Sequence, residues 1–159
     1  MIRVTIRGSE EVIKQLKNLP LRIQAALLKA MQDSTILIQS LAKINAPVFR
    51  GLLRVSIAQS VHQEGNRIVG EVGSALPYAD VVESGRNIGW FPPVADLKAW
   101  ARRKLGDERL GFVIGRAIKR RGFKARSYLT PAVQAAGPRV QLAFANRITE
   151  AIKQGGGTA

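Results

Sequence analysis

One histidine, eleven carboxylates and no cysteine are what this chain offers for catalysis or metal binding. Without a thiol there is no thiolate nucleophile, no Cys-ligated zinc or iron-sulfur cluster and no disulfide. A lone imidazole has no second histidine to complete a metal site. His62 falls in a β-patterned run beside a turn, which fits a surface strand residue. A Ser-His-Asp arrangement would need His62 as its base, and no Gly-x-Ser-x-Gly elbow is present to hold a nucleophile. Asp80 followed by Asp96-Leu97-Lys98 echoes the carboxylate, carboxylate-x-lysine set of a metal-dependent nuclease. That chemistry wants the second carboxylate and the lysine on one side of a strand. The apolar spacing places the triplet in a helix instead, where positions two apart point about 200° away from each other. Phosphate-cradling loops of the Gly-x-x-x-x-Gly-Lys or Gly-x-Gly-x-x-Gly kind are absent. The pairs Glu10-Glu11 and Asp107-Glu108 stand at expected helix starts, where the helix dipole is reason enough for negative charge. The inventory therefore points to no catalytic residues, no cofactor and no metal.

The charge is the unusual feature: 25 Lys and Arg against 11 Asp and Glu leave +14. Eleven of the basic residues lie between positions 98 and 126, among them Arg102, Arg103, Lys119, Arg120, Arg121, Lys124 and Arg126. They are opposed there only by Asp107 and Glu108, so this stretch alone carries +9. Such a patch suffices for non-specific phosphate binding through counterion release, and equally for an acidic neighbouring subunit. The structural alternative is a solvated outer face of amphipathic helices. No helix-turn-helix or zinc motif is present to read a DNA sequence. Trp100 and Phe112 sit on apolar helical faces and are expected in the core, whereas Trp90 and Phe91, in a Pro-rich loop, are expected at an interface.

The elements that position these groups follow from periodicity. Ile2, Val4 and Ile6 alternate with polar residues up to Gly8, as in a half-buried strand. Ser9 to Leu19 reads as a short helix, with Val12, Ile13, Leu16 and Leu19 on one face. From Leu21 to Asn45, Ile23, Leu27, Ala30 or Met31, Ser34, Leu37 or Ile38, Leu41 and Ile44 recur at steps of four and three, and Pro47 ends this long helix. Val55 to Val61 and Ile68 to Val72, around a Glu64-Gly65-Asn66 turn, predict a hairpin. A loop from Ser74 to Pro93 holds a short helix at Tyr78 to Glu83. Two helices follow, Asp96 to Lys104 and Arg109 to Arg121, the second with Phe112, Val113, Ala117 and Ile118 on its apolar face and Gly122 as its C-cap. Pro138 is expected to open a last helix with Val140, Phe144, Ile148 and Ile152 inside.

At 159 residues and roughly 150 per domain, the reading is one α+β domain over residues 1–154. In it a small antiparallel sheet packs on a long helix, with a basic helical insert at 93–122 and a C-terminal helix. Residues 155–159 are expected to form a disordered tail. The N-terminus lacks the order of a signal peptide and no apolar run reaches the ~18 residues of a membrane span, so a soluble product with no membrane partner is expected.

Several segments, in order, resemble the neck or minor tail-component proteins of tailed bacteriophages, the gene product ten type of the lambda-like siphophages. They are the opening Ser9-Glu10-Glu11-Val12-Ile13-Lys14-Gln15-Leu16-Lys17-Asn18-Leu19-Pro20, the helix end Ala42-Lys43-Ile44-Asn45-Ala46-Pro47, and Gly51-Leu52-Leu53-Arg54-Val55-Ser56-Ile57. Pro77-Tyr78-Ala79, Val82-Glu83-Ser84-Gly85 and Ala125-Arg126-Ser127-Tyr128-Leu129-Thr130-Pro131-Ala132-Val133 complete the series. Phe49-Arg50 departs from the family's usual Asp-Thr, and Ser84 stands where an aromatic often precedes the glycine. The resemblance implies a non-enzymatic virion or prophage structural protein of the head-tail neck or tail. It would assemble as a ring with connector and tail proteins in the bacterial host cytoplasm. The Gly- and Pro-rich loop from Tyr78 to Pro93, with Tyr78, Glu83, Arg86, Trp90 and Phe91, is expected to contact other subunits. The alternative is a basic accessory protein making non-specific DNA phosphate contacts through residues 98–126.

Overall fold

The computed structural model describes residues 2–6, 21–48, 50–65 and 67–154. The helix expected at Ser9 to Leu19, Asn66 of the hairpin turn and the 155–159 tail lie outside the described residues. The architecture is α+β, as the periodicity predicts, and the chain forms two compact units. One is drawn from Met1–Ala79 and Ser127–Ala159, the other is Asp80–Arg126.

The first unit contains strands β1 (Ile2–Ile6), β2 (Ile57–Glu64) and β3 (Arg67–Ser74) and helices α1 (Leu21–Asn45), α2 (Leu52–Ser56) and α6 (Leu129–Lys153). The sheet is antiparallel in the order β1-β3-β2, with Val4 opposite Val72 and Ile57 opposite Ser74. Gly70 and Val72 face α1. A Cβ on Gly70 would stand 2.6 Å from Thr35 Cγ2 and 2.7 Å from Met31 Sδ, so the missing side chain is what lets the helix lie close to the sheet. The polar residues on the buried side of α1 have partners: Ser34 Oγ donates to Ala30 O (2.7 Å) and Thr35 Oγ1 to Gln32 O (2.9 Å). Gln39 Nε2 donates to Ile57 O (2.8 Å), tying α1 to β2.

Helix α6 packs along α1. Asn45 Nδ2 donates to Tyr128 O at one end and Arg147 pairs with Asp33 at 2.9 Å further along, so the two helices run antiparallel. Their contact is built on small residues, with Ala30, Ala42, Ala132 and Ala136 fully buried. Alanine brings helix axes towards the short end of the usual ~8–10 Å spacing.

Four sequence expectations are corrected in this unit. Ile44 is 71% exposed, because the buried stripe of α1 runs through Ile38 and Ala42 to Ala46. Val55 lies in the one-turn helix α2, not in a strand. Gly51, at φ 75°, starts that turn, and Leu53 is the residue it buries. Helix α6 begins at Leu129 and runs through Pro138. Pro131 is the proline at the helix start, where the first N–H groups have no intrahelical acceptor to lose. Ile152, expected inside, is 56% exposed, and Ala151 takes the buried position.

The second unit contains α3 from Asp80 onward (Ala79–Ser84 in full), α4 (Val94–Leu105) and α5 (Leu110–Arg121). Its two ends are fastened together. Arg86 N donates to Phe123 O (2.9 Å), Phe123 N to Arg86 O (2.8 Å) and Arg126 N to Val82 O (2.8 Å). Gly85 and Gly122 flank this pairing at φ 73° and 76°, and a Cβ on either would meet backbone across it at 2.6 Å. Both positions need glycine for conformation and for space.

Candidate functional site

Helix α4 starts after Pro93 and ends at Gly106, whose φ of 78° reverses the chain. Its N–H returns to Arg102 O. Asp107 Oδ1 accepts the Arg109 N–H (2.8 Å) just ahead of α5. The two helices then touch backbone to backbone at Gly111, where a Cβ would lie 2.6 Å from Lys98 N; a Cβ on Gly115 would instead lie 2.9 Å from Cζ of Phe91, in the loop before α4.

This close approach decides which side of α5 faces inward. Gly111 and Gly115 are buried, with Ile114 and Ile118 half-buried beside them. Phe112, expected in the core, is 51% exposed, and Val113 is 59% exposed. Ala117, expected on the same inner face, is exposed as well. The glycine pair, four residues apart, was the sequence signal for this orientation. Scoring by hydrophobicity passes over it, since glycine contributes no apolar side chain.

All the expected cationic contacts are exposed: Arg102 and Arg103 in the last turn of α4, Lys119, Arg120 and Arg121 in the last turn of α5, then Lys124 and Arg126. The clusters at the two helix ends also complement the helix dipoles. Side-chain ion pairs among the described residues include Arg3 with Glu71, Arg86 with Asp80 and Arg147 with Asp33, and His62 is hydrogen-bonded to Glu64. None of them uses Lys119, Arg120, Arg121, Lys124 or Arg126.

The loop residues have different environments. Tyr78, in the first unit, is 37% exposed, and Glu83 is buried at 6%. Arg86 is half-buried and donates from Nη2 to Asp80 Oδ2. That hydrogen bond, and a second from Ser84 Oγ, hold the Asp80 carboxyl below its ordinary value of 3.8. Trp90 and Phe91 are half-buried, and the Phe91 ring packs against Phe112 with centroids 6.0 Å apart. Ile88, at 74% exposed, is the most open apolar side chain of this loop.

His62 is an exposed strand residue 2.9 Å from Glu64. Asp96 and Lys98 are exposed on helix α4, as the spacing predicts. Among the described residues no group of three or more His, Asp or Glu is placed to hold a metal ion. No helix of the described residues is long and apolar enough to cross a membrane. The outer face of the sheet has a shallow hollow lined by Arg3, Ala58, Ser60, Glu71 and Gly73, and there Arg3 and Glu71 neutralise each other at 2.9 Å.

In comparison with known proteins, the model of the family "Bacteriophage HK97-gp10, putative tail-component" matches residues 10–85. The matched segment includes α1, α2, the β2-β3 hairpin and α3, and stops before α4 and α5. No curated protein and no solved structure matches the chain.

Proposed function

From a chain whose residues 10–85 belong to the HK97-gp10-like family of phage tail components, we propose a structural role at the head-tail neck of a phage or prophage particle. The chain assembles there as a ring with connector and tail proteins, put together in the host cytoplasm and carried in the virion. The role is non-catalytic. The observation that carries this reading is the family match, which covers the hairpin and the long helix on which the sheet is built.

In this role neighbouring subunits meet two surfaces. One is the loop from Tyr78 to Pro93, through Tyr78, Arg86, Trp90 and Phe91; Glu83, buried at 6%, is not part of the surface. The other is the set of exposed cations Arg102, Arg103, Lys119, Arg120, Arg121, Lys124 and Arg126. Deleting the loop would also remove the Arg86 to Phe123 pairing that fastens the ends of the second unit. Ile88→Ser, at an exposed position, is therefore the cleaner probe.

The test is to purify particles, identify their proteins by mass spectrometry and place this chain by antibody labelling. The mass of the isolated protein is measured alongside. The expected result is label at the head-tail junction and a defined number of copies per particle. A chain absent from purified particles overturns the reading.

A further inference from the structure

The outward side of α5 joins two properties that a merely solvated helix face does not combine. Phe112 and Val113 are more than half exposed at its start, and Arg116, Lys119 and Arg120 are exposed further along. At 3.6 residues per turn these five positions fall within a sector of about 120°, whose centre lies about 120° around the helix from that of Gly111 and Gly115. The large apolar groups are outside because Gly111 brings α5 onto the backbone of α4 and Gly115 seats it on the Phe91 ring, so their exposure is imposed by the packing of this unit. Helix α5 itself contains no acidic residue.

We propose that this face of α5 is a docking surface for a different protein of the particle, one whose contacting surface is apolar at its centre and acidic at its rim. The inference rests on the chain being a particle component, and it names the chemistry of one neighbour. Charge complementarity selects the acidic rim. A second copy of the chain would bring another body of charge +14 against cations that have no acid between them. A DNA backbone would neutralise the cations but offer nothing apolar to cover Phe112 and Val113. A protein surface does both, and aromatic side chains with arginine are the usual anchors of such contacts.

The test uses the full-length chain in its own particle. A photoreactive benzoylphenylalanine replaces Val113, which is 59% exposed, so that the Phe91–Phe112 ring contact is kept. Purified particles are irradiated and the adducts sequenced. The expected product is an adduct with a different virion protein, at a peptide carrying Asp or Glu. Combining the probe with Arg116→Glu and Arg120→Glu should lower the yield about tenfold, while Arg116→Lys leaves it within about twofold. Circular dichroism of each variant confirms that the helices are retained. An adduct with DNA, an adduct with a second copy, or no adduct from particles that contain the chain overturns the proposal. Absence of the unmodified chain from particles overturns the particle reading itself, and the proposal with it.

Discussion

A methyl group added at Gly111 would meet the Lys98 amide nitrogen at 2.6 Å, and a backbone atom inside a helix cannot swing aside as a side-chain tip can. Gly111→Ala should therefore destabilise the second unit by about 1–3 kcal/mol, the usual cost of overpacking. A lower denaturation midpoint checks it, with Ala117→Ser, on the exposed side of the same helix, as the control expected to be near neutral. Asp80 makes a prediction about pH. Its carboxyl is held below 3.8 in the folded chain by the hydrogen bond from Arg86 and then by that from Ser84, so folding favours the charged form. The resulting stabilisation is present above pH 3.8 and is lost as pH falls through the lower, folded value. Acid titrations of stability for the native chain and for Asp80→Asn should converge below that point and separate above it. Equal separation at all pH values would show that the carboxylate charge is not what Arg86 stabilises.

Helix α6 shows how an element can override a local signal. Pro138 has no N–H for the Gln134 carbonyl and is the residue at which the sequence predicts a start. The helix nevertheless begins at Leu129, because Leu129, Ala132 and Ala136 bury themselves against α1 before the proline is reached. Gly137 has no such packing role, since, apart from its chain neighbours and the helix's own backbone, nothing lies within 4 Å of a Cβ built there. Gly137→Ala should nevertheless gain less than the ~1 kcal/mol usual for a helix interior, because the new Cβ crowds the ring of Pro138, and the denaturant midpoint should stay close to that of the native chain at unchanged m-value. In α1 the half-buried amide of Gln39 spans to β2, and Gln39→Leu removes this donor from Ile57 O. A loss of about 1–3 kcal/mol is expected where a part-buried carbonyl loses its side-chain donor. The existence of α1, of the hairpin and of both insert helices was legible from apolar spacing. Which turn of each helix points inward was legible only where a bulky residue does the packing.

At the level of the whole chain, +14 makes self-association and DNA binding respond to salt in opposite directions. Raising ionic strength from about 0.01 to 0.1 M shortens the screening length from roughly 30 to 10 Å and relieves repulsion between copies. Ring formation should strengthen with salt in sedimentation experiments, whereas phosphate binding would weaken steeply over the same range. The sequence by itself determined the amounts and the order: the charge and its concentration between 98 and 126, the strand and helix periods, the want of cysteine, and the family resemblance later met in residues 10–85. The tertiary structure alone decided orientation. It put Gly111 and Gly115 inside with Phe112 and Val113 outside, and extended α6 back past Pro138. Periodicity assumes that the most apolar face is the buried one, and where two backbones can approach through glycine or alanine, the smallest face is buried instead.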